Sequence, residues 1–275
     1  MYLSDNDLTT ITPRDFREIV RRGKWTGGTS KACRGYLQTN ITVLPEEYAE
    51  EFRLFCTRNP RPCPLIDITN PGNPHPPITP EADLRTDLPR YKVFRDGELV
   101  DEPTHIRHYW QGDLVSFLLG CSFSFDWLFA SAGIRFHFLG GFITDIKCEP
   151  AGDFKGPMVV TCRQFQNNKE IAKAIEITSQ YPFLHGSPIH VGEPNVIGIK
   201  DINKPDFCLP IDFGTPNSSG PVFWGCGITT EMISKEARLP LMITQGDTEL
   251  LVTDKQVISF NDECLNIQTG DGSLL

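Results

Sequence analysis

The sequence has no surplus of positive charge: 26 Lys and Arg stand against 35 Asp and Glu, a formal net charge of −9. A surface of that balance offers nothing broad to nucleic acid or to an anionic membrane, so both are excluded as partners, and an anionic ligand has to be held by a few local arginines. No apolar run is long enough to span a bilayer, and the longest, from Leu114 to Phe129, is broken by Gly120, Ser122, Ser124 and Asp126. A secretory leader is not expected either, because Met1 to Thr12 is polar and acidic where a leader is basic and then apolar. The nine cysteines are odd in number and scattered, with no CxxC pair, which argues against a disulfide framework and a structural zinc site. They read as reduced thiols, so the expected location is the cytoplasm, with the mitochondrial matrix as the alternative. No metal or nucleotide motif is recognisable, and no cofactor is expected.

With 39% hydrophobic and 22% charged residues over 275 positions, the chain is an ordinary globular protein able to bury a large core. Its most informative stretch is Leu114-Val115-Ser116-Phe117-Leu118-Leu119-Gly120-Cys121-Ser122-Phe123-Ser124-Phe125-Asp126. The first half reads as two buried helical turns stopped at Gly120. Ser124 then caps a new helix with Asp126 in its first turn, a helix-turn-helix corner whose exposed backbone N–H groups suit an anion beside Cys121, Ser122 and Ser124. The alternative is a small buried Cys and two capping serines.

Elsewhere, Thr12-Pro13 opens a helix to about Arg22, Tyr36 to Leu44 alternates as a strand, and Pro45 starts a helix with Tyr48, Phe52, Phe55 and Cys56 on a core stripe. Residues 58–91 are proline-rich, a rigid surface loop containing a strand at Leu65 to Ile68. A hairpin follows at Tyr91 to Val100, turning on Asp96-Gly97. Arg85 and Arg90 are placed either to clamp a carboxylate or to pair locally with Asp83 and Asp87. Gly156 to Arg163 is a buried strand, Asn168 to Thr178 an amphipathic helix, and Gly220 to Gly227 an apolar strand ending in glycine. His185 to Pro194 packs two histidines, Glu193, two glycines and two prolines into a shaped loop, with site and structural roles both open. Gly270 to Leu275 reads as a frayed tail.

Taken together, Thr29 to Asn40, Arg58-Asn59-Pro60 with Cys63-Pro64-Leu65, Asp83 to Tyr91, Gly120 to Phe125, Gly156 to Val160, His185 to Pro194 and Val222-Phe223-Trp224 resemble, in this order, the hydro-lyases grouped with D-glutamate cyclase, the YcsI-like family. The resemblance runs from about 20 to 255. It implies a mixed α+β protein of the α/β kind, a three-layer αβα part with a smaller two-layer α+β part; the change from proline-rich mixed segments to a compact strand-helix-strand block around Val159, Ile175 and Ile189 puts the smaller part at 145–215, inserted into the larger one of 1–144 and 216–275. The implied activity is loss of water from a small amino or hydroxy acid, including closure of D-glutamate to 5-oxo-D-proline. Two departures stand out. Arg135 to Asp145 replaces a longer polar connection, and Gln245-Gly246-Asp247 stands where the family has a histidine followed by Ala-Pro-Gly; glutamine does not titrate.

The chemistry assigns candidate roles. His190 and His185 are the acid/base candidates, with Cys121 and Ser122 beside them. Arg85, Arg90, Ser124, Asp87 and Glu193 would bind the carboxylate substrate, and no metal is expected. The expected partner is a small-molecule carboxylate, with self-association left open. Rival readings are a carboxylate-binding module without catalysis and a hydrolase or transferase with Cys121 as nucleophile. The spatial expectation is that Cys121 and Ser122, the Asp83 to Arg90 segment and the His185 to Glu193 loop line one cleft.

Overall fold

The structure, a computed structural model, describes residues 4–208, 211–212 and 219–269. Two short helices open it, α1 (Asp5–Thr10) and α2 (Pro13–Arg21), the second started as its sequence dictates, with the Thr12 hydroxyl capping Asp15 N–H and Pro13 in the first turn. Strand β1 (Tyr36–Pro45) is followed by α3 (Ala49–Arg58), β2 (Leu65–Ile68), the hairpin β3 (Tyr91–Arg95) and β4 (Glu98–Asp101), β5 (Leu114–Gly120) and α4 (Phe123–Ser131). Then come β6 (Phe136–Lys147), β7 (Pro157–Phe165), α5 (Asn168–Ser179), β8 (His190–Val191), β9 (Ile211–Asp212), β10 (Ser219–Gly225) and α6 (Ile228–Ala237). The chain closes with β11 (Met242–Gln245), β12 (Leu251–Gln256) and α7 (Val257–Thr269). The expected frayed tail, Gly270 to Leu275, lies outside the described residues.

All described strand pairs are antiparallel, so the fold is mixed α+β. The first sheet runs β2-β5-β1-β11-β3-β4, with β12 also on β1; the second runs β8-β10-β7-β6-β9. Strands of the second sheet form one block, Phe136 to Gly225, with first-sheet strands on both sides of it in sequence. The block is wider than 145–215, because β6 and β10 pair with β7 and not with the first sheet.

Leu114 to Gly120 is a strand and not the expected helix. It is buried at every position, with Val115, Phe117 and Leu119 in one core and Leu114 and Leu118 in another. A strand covered on both faces is apolar at successive positions, which periodicity does not distinguish from a buried helix. The cores join the sheets: Phe52, Phe117 and Leu119 pack with Phe142, Phe154 and Phe223, and Phe125 and Phe129 pack with Phe136, Phe165 and Trp224. Among the described residues no helix is long and apolar enough to cross a membrane.

Candidate active site

Where the sheets meet, one construction occurs twice. β5 ends at Gly120, opposite Thr39 of β1, and Cys121-Ser122 lead into α4; β10 ends at Gly225, opposite Val160 of β7, and Cys226-Gly227 lead into α6. In the first, Ser124 N–H donates to the Cys121 carbonyl, and the Ser124 hydroxyl accepts from Gln38 N–H (2.8 Å) and donates to Gln38 O (3.1 Å). In the second, Thr229 N–H donates to the Cys226 carbonyl, and the Thr229 hydroxyl accepts from Val159 N–H (2.9 Å) and donates to Val159 O (3.4 Å). Gln38 and Val159 each sit one residue before the strand partner of the glycine, so the correspondence is residue for residue. The signal is legible as Gly-Cys-x-x-Ser/Thr at 120–124 and 225–229. Ser124 is therefore a brace between α4 and β1; Ser122 holds the N-cap position, without a side-chain cap bond.

Both glycines are there for close approach. A Cβ at Gly120 would lie 1.8 Å from the Phe183 carbonyl oxygen, and one at Gly225 would lie 2.6 Å from that of Arg61.

The two turns close on one inner pocket. It is lined by Cys121, Ser122, Cys226 and Gly227 of the turns, by Asn40 and Thr161 of the adjoining strands, and by His185, Cys208 and Asp247. The pocket is tight, with room for about one water molecule. Cys208 and Asp247 also line a roomier outer cleft of about 390 Å³ with Arg90, Lys92 and Glu249. A ligand reaching both passes Asp247.

Behind Ser122 lies a buried charge network. Arg163, on β7, donates from Nε (2.9 Å) and Nη2 (2.8 Å) to Asp126 Oδ1, from Nη2 to Ser122 Oγ (3.1 Å), and from Nη1 to Thr161 Oγ1 (3.2 Å). Rings of Phe125, Phe136, Phe138 and Trp224 lie 4.9 to 5.6 Å from its guanidinium. Ser122 Oγ accepts from Arg163, so its own proton is available to the pocket. Burial pushes Asp126 up to about 6 against the pull of Arg163.

Proton chemistry in the pocket follows from burial. The Cys121 thiol is pushed up to about 12 and that of Cys226 to about 11, and Cys208 is raised as well, so all three stay protonated near neutral pH. That removes the basis for a thiolate nucleophile. His185 is pushed down to about 4 by burial; its Nδ1–H donates to the Arg61 carbonyl (2.7 Å), while Arg61 donates to His185 O (3.1 Å) and Pro188 O (2.9 Å). A neutral, doubly anchored imidazole shapes the pocket wall and is a weak base. At the mouth, Lys92 contacts Asp247 (2.5 Å) and Glu231 (3.4 Å). Burial works against the Lys92 charge, but these carboxylates outweigh it and raise the amine. Asn40 donates to Gly120 O (3.1 Å) and is itself oriented by Gln245, whose Nε2 donates to Asn40 Oδ1 (3.1 Å) and whose Oε1 accepts from Ile41 N–H (2.6 Å). Gln245 thus fixes a pocket amide instead of moving a proton.

Of the other residues singled out from sequence, Arg90 lines the outer cleft. Arg85 is held bidentately by Asp83 at 2.8 and 2.9 Å. Asp87 is buried against Arg21 and Arg17 and ties α2 to the proline-rich segment. His190 stacks on Phe223 with Nε2 2.9 Å from Glu193 O, Glu193 is exposed, and neither lines the inner pocket. Asn40, Lys92, Thr161, Arg163, Cys226 and Asp247 were not singled out. Arg163 had a signal: a charged residue ending the apolar run Met158 to Cys162, which a buried strand tolerates only with a partner. Among the described residues no cluster of three or more His, Cys, Asp or Glu is placed to hold a metal ion.

The sequence profile of D-glutamate cyclase matches residues 115–254, from β5 through β12 and across both Gly-Cys turns. The chain belongs to the D-glutamate cyclase family. Proteins named "Putative hydro-lyase" in Rubrobacter xylanophilus (44% identical over 87% of this chain and 94% of the relative), Geobacillus kaustophilus (42%, 89% and 94%) and Bacillus licheniformis (43%, 90% and 96%) are similar over nearly their whole lengths. Membership makes this D-glutamate cyclase family protein an enzyme of the hydro-lyase type. A solved structure, a nitrogen repressor-like protein of Methanococcus jannaschii, covers 89% of this chain and 99% of its own at a TM-score of 0.39 and 12% identity, too remote to carry an argument.

Proposed function

We propose that the enzyme closes D-glutamate to 5-oxo-D-proline in the outer cleft, with the oxygen that leaves as water directed into the inner pocket. The observation that carries this reading is the convergence of two helix starts, Ser122 and Asp247 on one small pocket, which brings together donors for a developing oxyanion, a hydroxyl donor and a carboxylate base. The amine nitrogen forms a bond to the γ-carboxyl carbon, a C–O bond breaks, and that oxygen leaves as water with two of the three protons of the ammonium group. Asp247, beside the roomier cleft, accepts a proton from the ammonium. Ser122, its oxygen polarised by Arg163, donates toward the departing oxygen. Arg90 holds the α-carboxylate, and Lys92, paired with Asp247 and Glu231, positions Asp247 at the mouth. The inner pocket, with room for about one water, admits the departing oxygen and excludes bulk water, which strengthens each of these interactions.

The test uses D-glutamate carrying ¹⁸O in the γ-carboxyl group. Turnover with label appearing in water and 5-oxo-D-proline as product is the expected result. No conversion of D-glutamate, with turnover of a small 2-hydroxy acid instead, would assign the same pocket to a different dehydration.

A further inference from the structure

Beyond the inner pocket, on the other side of the Arg163–Asp126 pair, lies a side cleft of about 480 Å³ between α4, the segment before β1 and the start of β6. Its volume is in the range of small-molecule sites, and its walls are mostly apolar, with Phe123, Trp127, Ile134 and Phe136 prominent. Two adjacent lining residues hold polar atoms that are buried and have no hydrogen-bond partner: Asp126 Oδ2 and Trp127 Nε1. Asp126 is 8% exposed, and Arg163 occupies only its other oxygen. A buried carboxylate oxygen without a donor is costly enough to call for one. Because Arg163 already balances the Asp126 charge, a second cation would leave net charge in an apolar wall, so the matching group is a neutral N–H. Trp127 Nε1 offers the complementary donor, and Arg34 and Arg135 line the same cleft, in which Asp126 is the one acidic lining residue.

We propose that the side cleft is a second ligand site, taking a planar aromatic carboxylic acid with a neutral ring N–H, which donates to Asp126 Oδ2 while the carboxylate faces Arg34 and Arg135. The site is independent of the cyclisation: its occupant differs from glutamate in shape and donor, and its test reads binding alone.

The probe is indole-3-acetate, titrated into ¹⁵N-labelled protein while the Trp127 indole N–H resonance, assigned with Trp127→Phe, is followed. Saturable movement of that resonance is expected, weakened at least about tenfold for 1-methylindole-3-acetate, in which a methyl group replaces the hydrogen donated to a charged acceptor, and weakened likewise for benzofuran-3-acetate, in which a ring oxygen replaces the N–H without added bulk. Ala130→Trp, which places a ring from an exposed position on α4 into the cleft, is expected to abolish binding while leaving the melting temperature close to wild type. The methylated probe needs no variant, so the proposal stays testable even if Ala130→Trp unfolds. No saturable shift up to the solubility limit, equal affinity of the methylated probe, or unchanged binding to a folded Ala130→Trp would overturn it.

Discussion

Replacing Arg163 by Met disturbs several parts of the site at once. The side chain is fully buried, and its loss removes both bonds to Asp126 Oδ1 and those to Ser122 and Thr161 together. Met fills much of the space among the four rings, so the cost comes mainly from the carboxylate left without its partner. Breaking a buried pair from one side costs about 3–5 kcal/mol. For a chain of this size that is a fall in Tm of roughly 10 °C. Without Arg163 the Asp126 carboxyl moves further above its usual range and answers by taking up a proton, so the loss is greatest at alkaline pH and shrinks toward acid. Arg163→Met/Asp126→Leu removes both charges and is expected to recover most of the stability, since a buried pair exchanged for apolar groups of similar volume is often neutral or better. Urea unfolding of wild type, both single variants and the double variant closes the cycle. Single-variant losses that simply add in the double variant would refute the account of Arg163 and Asp126 as a mutually dependent pair.

Three further outcomes are expected. Gly120→Ala places a Cβ against a backbone oxygen that cannot move aside and should destabilise by about 3 kcal/mol or more, measured as a lower urea midpoint with unchanged slope. His185, held near 4 in the fold against its usual 6.5, refuses a proton that the unfolded chain accepts between those values. Wild type should therefore lose stability as pH falls from about 6.5 to 4, by about 3 kcal/mol relative to His185→Asn, and a constant difference between the two across that range would contradict the burial argument. Cys121→Ala should keep turnover within about tenfold of wild type, and thiol reagents should react slowly at neutral pH, because burial holds the thiol protonated; rapid inactivation traced to Cys121 would restore the nucleophile reading.

Local chemistry was legible wherever neighbours in sequence decide it. Thr12-Pro13 starts α2, Asp96-Gly97 turns the β3–β4 hairpin with both residues at positive φ, and Asn167 caps α5 where the amphipathic pattern begins. Leu114 to Gly120 was misread because burial on both faces erases the period that separates strand from helix. The site was legible in part for a related reason. Cys121, Ser122 and His185 sit in unusual local sequence and meet in the inner pocket, whereas Asp247 and Lys92 are far apart in sequence and come together through the pairing of β11 with β3, which no local pattern announces. Arg85 and Asp87 have the composition of a carboxylate clamp, but partners in the fold already satisfy them. The repeat of Gly-Cys-x-x-Ser/Thr is the signal that points to the pocket most directly, since two identical turns aimed at one place need a reason to face each other.

The central claim, that water is lost beside the Gly120 to Ser122 turn, is tested most directly by the steady-state kinetics of Ser122→Ala with D-glutamate. The account predicts a fall in kcat of about two to four orders of magnitude, the usual contribution of one proton donor, with KM nearly unchanged and the fold intact. A folded Ser122→Ala enzyme that turns D-glutamate over at the wild-type rate would contradict it.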